Sequence, residues 1–178
     1  MAQALIIVDA QNDFCPGGAL ATARGAEIAT LIGSYQASES AEAYDVQIAT
    51  KDWHVDPGDH FDTWPPHCVA GSTGADFHEA IREDLLAAVF LKGRTTAAYS
   101  GFEGEAEGML LAPWLRKRGI THIDVCGIAT DHCVRATVLD GVKAGFDVRV
   151  LSELCAAVDN SAGDAALEEM RRAGASVI

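Results

Sequence analysis

Three residues far apart in the chain, Asp9, Lys92 and Cys133, are of the types needed for one covalent reaction. A thiol nucleophile needs a base to take its proton and a nearby cation to lower its pKa, and a carboxylate and an ammonium supply both. Cys133 lies in VCGIATDHCVRA, Val125 to Ala136, where an apolar run gives way to a polar, helix-starting segment. Thr130 or Asp131 is the expected N-cap. That places the sulfur in a first helical turn, where backbone N–H groups and the helix dipole favour a thiolate. Two blander readings compete: a small core residue, since cysteine is often buried, and an Asp–Lys ion pair beside a spectator cysteine.

A second group follows one strand-like segment. Asp52, His54, His60 and His67 form the pattern D-x-H-x5-H-x6-H within a single loop region. One carboxylate and three imidazoles suit one divalent ion such as zinc, iron or manganese, with water or substrate completing the coordination. Loop histidines on an acidic surface are the alternative. His78 and His122, isolated in sequence, are expected to play ordinary structural parts. Phe14, Trp64 and Tyr99 lie in loops expected at the same end of the molecule; together they suggest a slot for a flat ring.

These residues need a scaffold that brings them together. ALIIVD, Ala4 to Asp9, reads as a strand buried on both faces, and strands are also expected at Val46–Asp52, Ala88–Lys92, Thr121–Ile128, Asp147–Leu151 and Ser176–Ile178. Helical spacing predicts helices over about Gly25–Glu42, Asp76–Leu86 and Glu105–Arg118, one starting near Cys133, and one through Ala165, Leu167, Met170 and Arg171. Alternating strands and helices imply an α/β fold, three layers with a mostly parallel central sheet and helices on both faces. Ligand sites in such folds lie beyond the carboxyl ends of the strands. Asp9, Asp52, Lys92 and the turn before Cys133 all fall there, which favours a nucleophile over core filler. The stretch from Trp53 to Gly74 is long, irregular and rich in Pro, Gly, Trp and His, as functional loops often are.

Composition narrows the ligand. With 178 residues, 49% hydrophobic and 22% charged, the chain suits one domain spanning residues 1–178. A net charge of -13 argues against nucleic acid or an anionic membrane and leaves a small molecule as the expected partner of a monomer or homo-oligomer. No apolar run reaches the length of a membrane span and no signal peptide is apparent. Five cysteines without framework spacing suggest reduced thiols in a cytoplasm. The glycines form no dinucleotide fingerprint, so a nucleotide cofactor is not expected.

The segments ALIIVDAQNDFCPGG, TKDWHVDPGDHF, WPPHCV, FLKGRTTAAYSGFEG, GIATDHCVRAT and ALEEMR, in this order, resemble the isochorismatase-like cysteine hydrolases, and within them the nicotinamidase and pyrazinamidase branch. The resemblance implies a metal-containing amidase for nicotinamide-like aromatic amides. It implies Asp9, Lys92 and Cys133 as catalytic triad and Asp52, His54, His60 and His67 as metal ligands. Phe14, Trp64, Tyr99 and His132 would be walls of the ring pocket. It further implies a cis peptide before Ala129, with the N–H groups of Ala129 and Cys133 forming an oxyanion hole. Related ureido or carbamoyl amidases, isochorismatases and a silent binding module remain alternatives; the four-ligand loop speaks against the first two and the retained triad against the last.

Overall fold

A computed structural model describes residues Met1–Ile178. In chain order the elements are β1 (Ala2–Val8), α1 (Gly25–Gln36), β2 (Val46–Asp52), α2 (His60–Thr63), β3 (Leu86–Lys92), β4 (Glu105–Ala106), β5 (Met109–Leu110), α3 (Leu111–Lys117), β6 (Ile120–Ile128), α4 (Arg135–Lys143), β7 (Asp147–Ala156), α5 (Asn160–Ala173) and β8 (Ser176–Val177). The eight strands form one sheet in the order β5-β4-β3-β2-β1-β6-β7-β8. Six of them, from β3 through β8, run parallel, and only the short β4–β5 hairpin is antiparallel.

The central strands are apolar because both sides are covered. Residues Ala4 to Val8 of β1 have no exposed surface. On β6, Ile123 meets Gly141 of α4, while its neighbour Asp124 bonds Tyr44, whose hydroxyl is 2.9 Å from that of Tyr35 on α1. Successive residues of a strand point to opposite faces, so α1 and α4 cover opposite sides of the sheet, as the three-layer reading requires. Chain order along the sheet reverses at β1, with β2 on one side and β6 on the other. That switch point opens a crevice beyond the carboxyl ends, where Asp9, Asp52, Lys92 and Ala129 emerge.

Three expected helices differ. The one over Asp76–Leu86 does not form; its only helical piece is a single turn at Glu83–Leu85. Long-range contacts hold this segment instead. Phe77 bridges Gln11 and lies under the Lys51 ammonium, 4.1 Å from ring centroid to Nζ, and the Gln36 side chain bonds both backbone groups of Arg82. Tertiary partners thus outweigh a local propensity worth only tenths of a kcal/mol per residue. The Glu105–Arg118 helix shrinks to α3. Its first six residues, Glu105–Leu110, are the β4–β5 hairpin, turned by Glu107 (φ 51°) and Gly108 (φ 76°), both left-handed as a two-residue hairpin turn demands. Finally, α1 stops at Gln36, and Glu39–Ala43 continues as a tighter turn.

Candidate active site

β1 ends at Val8, and Asp9 follows in a left-handed conformation (φ 45°), its carboxylate fully buried. Thr50 on β2 donates to Asp9 Oδ1 at 2.6 Å. Lys92, the last residue of β3, sends its ammonium 2.8 Å from Asp9 Oδ2, into direct contact with Asp52 Oδ1, and 3.5 Å from Cys133 Sγ. A single buried cation therefore links the thiol to two carboxylates. Burial alone would lower the Lys92 pKa, but Asp52 and Asp9 raise it well above the usual range, so Lys92 stays an ammonium. Burial raises the Asp9 pKa, against the pull of Lys92. Breaking such a set by deleting one member typically costs about 3–5 kcal/mol, since it strands a buried charge.

Cys133 differs from expectation in two ways. Neither Thr130 nor Asp131 caps a helix. Residues Thr130–Val134 form a π-type turn after Ala129, with Val134 N–H donating to Ala129 O. The Asp131 carboxylate instead accepts from the N–H groups of Val158 and Asp159, tying the turn to the start of α5. Nor is the thiolate favoured at rest. Burial, reinforced by Asp9 and Asp52, raises the Cys133 pKa well above its ordinary value despite Lys92. A desolvated sulfur beside two carboxylates loses more than one ammonium and a turn return to it. The Ile128–Ala129 peptide is cis.

Asp52, His54, His60 and His67, from the end of β2 through α2 to the loop after it, converge although they span sixteen positions of the chain. The three imidazoles can place their ligand atoms within 4.8 Å of one another, and Asp52 Oδ2 is 3.8 Å from Nε2 of both His54 and His67. His54 Nδ1 is 2.6 Å from Gly93 O and His67 Nδ1 is 2.8 Å from Pro65 O. Each carbonyl fixes the proton on Nδ1 and leaves the Nε2 lone pair free. Nε2 of His54 and of His60 is buried with no partner in the chain, which is how a metal-binding nitrogen looks before its ion is counted. Burial lowers the pKa of both rings, keeping them neutral as ligands must be. The donor set fits a divalent ion.

A cavity of about 280 Å³ joins the two groups. Phe14, Trp64, Tyr99, Ala129, His132 and Cys133 line it together with Asp52, His60 and His67, while Asp9, Lys92 and His54 lie behind its floor. Trp64 Nε1 donates to the Tyr99 hydroxyl at 3.0 Å, closing one side, and His132 stands edge-on to Trp64 at 5.5 Å. Sequence reading missed Ala19, Leu20, Ala21, Ala98 and Val158, which complete the wall. Small apolar residues carry no chemical signal; only the glycine-rich turn before Ala19 marked a loop there. His78 and His122 lie outside this cavity; His122 pairs with Asp147 at 2.9 Å.

The model of the isochorismatase domain matches residues 3–178. The chain is 53% identical to the nicotinamidase/pyrazinamidase of Mycobacterium tuberculosis, over 99% of this chain and 98% of that protein. Its fold matches PnC1 from L. infantum in complex with nicotinate, with a TM-score of 0.89, 37% identity and coverage of 99% and 92%. It likewise matches the pyrazinamidase of Pyrococcus horikoshii in complex with zinc, with a TM-score of 0.87, 36% identity and coverage of 100% and 99%. A match across nearly the whole length, on a sheet whose strand ends carry a buried carboxylate, ammonium and thiol, makes this chain a member of the isochorismatase family.

Proposed function

We propose that this chain is a cysteine amidase hydrolysing nicotinamide, and pyrazinamide with it, to the carboxylic acid and ammonia. The observation that carries the reading is the buried Lys92 ammonium in simultaneous contact with Asp9, Asp52 and Cys133, the last two of which line an aromatic-walled cavity. Support also comes from the relatives: the Mycobacterium tuberculosis protein is a nicotinamidase/pyrazinamidase, and the L. infantum neighbour was solved with nicotinate.

Asp9 takes the Cys133 proton as the sulfur attacks the amide carbon, and the N–H groups of Ala129 and Cys133 receive the developing oxyanion. Protonated Asp9 then delivers its proton to the departing ammonia, leaving a thioester on Cys133. Asp9 next accepts a proton from the water that cleaves the thioester, restoring the thiol. Lys92 keeps Asp9 and Asp52 tolerable side by side throughout. Phe14, Trp64, Tyr99 and His132 hold the ring. Asp52, His54, His60 and His67 would hold a divalent ion, whose chemistry there is to accept the lone pair of a ring nitrogen and fix the ring's orientation. The five unpaired thiols support a chain working in a reducing cytoplasm, and the single eight-stranded sheet supports one domain.

Ammonia release from nicotinamide tests the reading. Cys133→Ala and Asp9→Asn should each abolish it, and the double variant should lose little more, because nucleophile and base act as a unit. Substantial activity in Cys133→Ala would overturn the covalent route.

A further inference from the structure

We propose that Asp13 is a positioning residue that couples the metal-ligand loop to the mouth of the ring pocket. The inference rests on the amidase reading for its substrate and on the geometry alone for the coupling. Asp13 lies on the short turn Asn12–Phe14, one residue before a cavity wall, and its two carboxylate oxygens serve two different loops. Oδ2 accepts from Cys68 N–H at 2.7 Å, and Oδ1 accepts from Ala19 N–H at 3.1 Å. Its own carbonyl takes Leu20 N–H at 2.9 Å.

The Cys68 end leads to the histidines. Cys68 follows His67 directly and is held in a left-handed conformation, φ 46°, unusual for a residue with a side chain. Its carbonyl accepts from His54 N–H at 3.0 Å, so one residue, Cys68, pinned through its N–H by Asp13, ties the backbones of His67 and His54 together. At the Ala19 end, Ala19 and Leu20 form part of the cavity's wall. A carboxylate is the right group here because it is acceptor-only and can take both N–H donors, each as a charge-assisted bond. Room for it comes from Gly74, where any Cβ would overlap the Asp13 carboxylate, while Asp13 N–H donates to Gly74 O at 3.0 Å. Asp13 itself lines neither the cavity nor the metal cluster, so it acts through other residues.

Asp13→Asn keeps the size but turns one acceptor into an NH2 that must face a backbone N–H. With the full-length protein, zinc affinity measured by competition with a chromophoric chelator should fall about tenfold or more. Amide exchange at Cys68 and Ala19 should accelerate together, and the nicotinamide KM should rise more than kcat falls. Gly74→Ala, which displaces the same carboxylate from outside, should reproduce all three and serves where Asp13→Asn fails to fold. In an Asp13→Ala background Gly74→Ala should add little, since the clash is gone. A lower Tm with zinc affinity unchanged, or faster exchange at only one of the two amides, would overturn the coupling. Should the parent protein release no ammonia from nicotinamide, the amidase reading fails while the zinc and exchange measurements still decide the role of Asp13.

Discussion

The Lys92 ammonium lies 3.5 Å from the Cys133 sulfur, and both are buried. Burial and the two carboxylates hold the thiol protonated, but only this cysteine is in direct contact with an ammonium and lines the aromatic-walled cavity. None of Cys15, Cys68, Cys126 or Cys155 lines that cavity. Burial pushes the Cys15 thiol up to about 11 and that of Cys155 to about 12, with no opposing cation.

Because the cavity admits a reagent and Asp9 can take the proton as the sulfur attacks, iodoacetamide should modify Cys133 fastest of the five, and nicotinamide should protect it. Mass mapping of the alkylated protein near neutral pH checks this. Cys133 emerging as the slowest site would count against an activated sulfur.

A metal that orients the ring and one that generates hydroxide differ in their dependence on the ring nitrogen. Benzamide, of the same shape without that nitrogen, should be a far poorer substrate for the zinc-loaded protein than nicotinamide. Chelation or His54→Ala should depress nicotinamide turnover while Cys133 remains alkylatable. Equal efficiency on the two amides would make the site structural or hydrolytic.

Gly93 has φ 69°, and a Cβ there would come within 2.6 Å of His54 Cε1, on the ring edge whose Nδ1 meets the Gly93 carbonyl. Gly93→Ala should thus displace His54 and lower zinc affinity by about tenfold or more, the usual scale for disturbing a ligand's support. Retained affinity, measured by chelator competition, would show that the loop yields without moving the ring.

Acid sensitivity has a definite sign. Folding lowers the pKa of His54 and His60 below 6.5, chiefly by burial, so just below that value the unfolded chain binds more protons than the folded one. Their contribution to stability is complete above pH 6.5 and is lost as pH falls through the folded values. Chelator-treated protein should melt lower at about pH 5.5 than at about pH 7.5, and His60→Gln should shrink that difference. An undiminished difference in the variant would place the acid-sensitive groups elsewhere.

What the sequence by itself determined is the set of strand ends and what stands on them. Apolar runs such as ALIIVD read as strands covered on both faces, and parallel strands align their carboxyl ends, so Asp9, Asp52 and Lys92 were expected at one end of the sheet; the strand order β3-β2-β1 made them neighbours. The convergence of Asp52 with His54, His60 and His67 was suggested for another reason: imidazoles at short spacing beside a carboxylate suit a divalent ion better than an acidic surface. Tertiary structure alone decided how these groups behave. The resting protonation of Cys133 depends on burial and on which carboxylates lie near, and neither is a local property. The partners of Asp131, the small residues at Ala19, Ala21 and Val158, and the two-loop reach of Asp13 depend on chain segments far apart. Likewise Asp76–Leu86 has a helical pattern but no helix, because Lys51, Gln11 and Gln36 offer its residues better partners than its own backbone does.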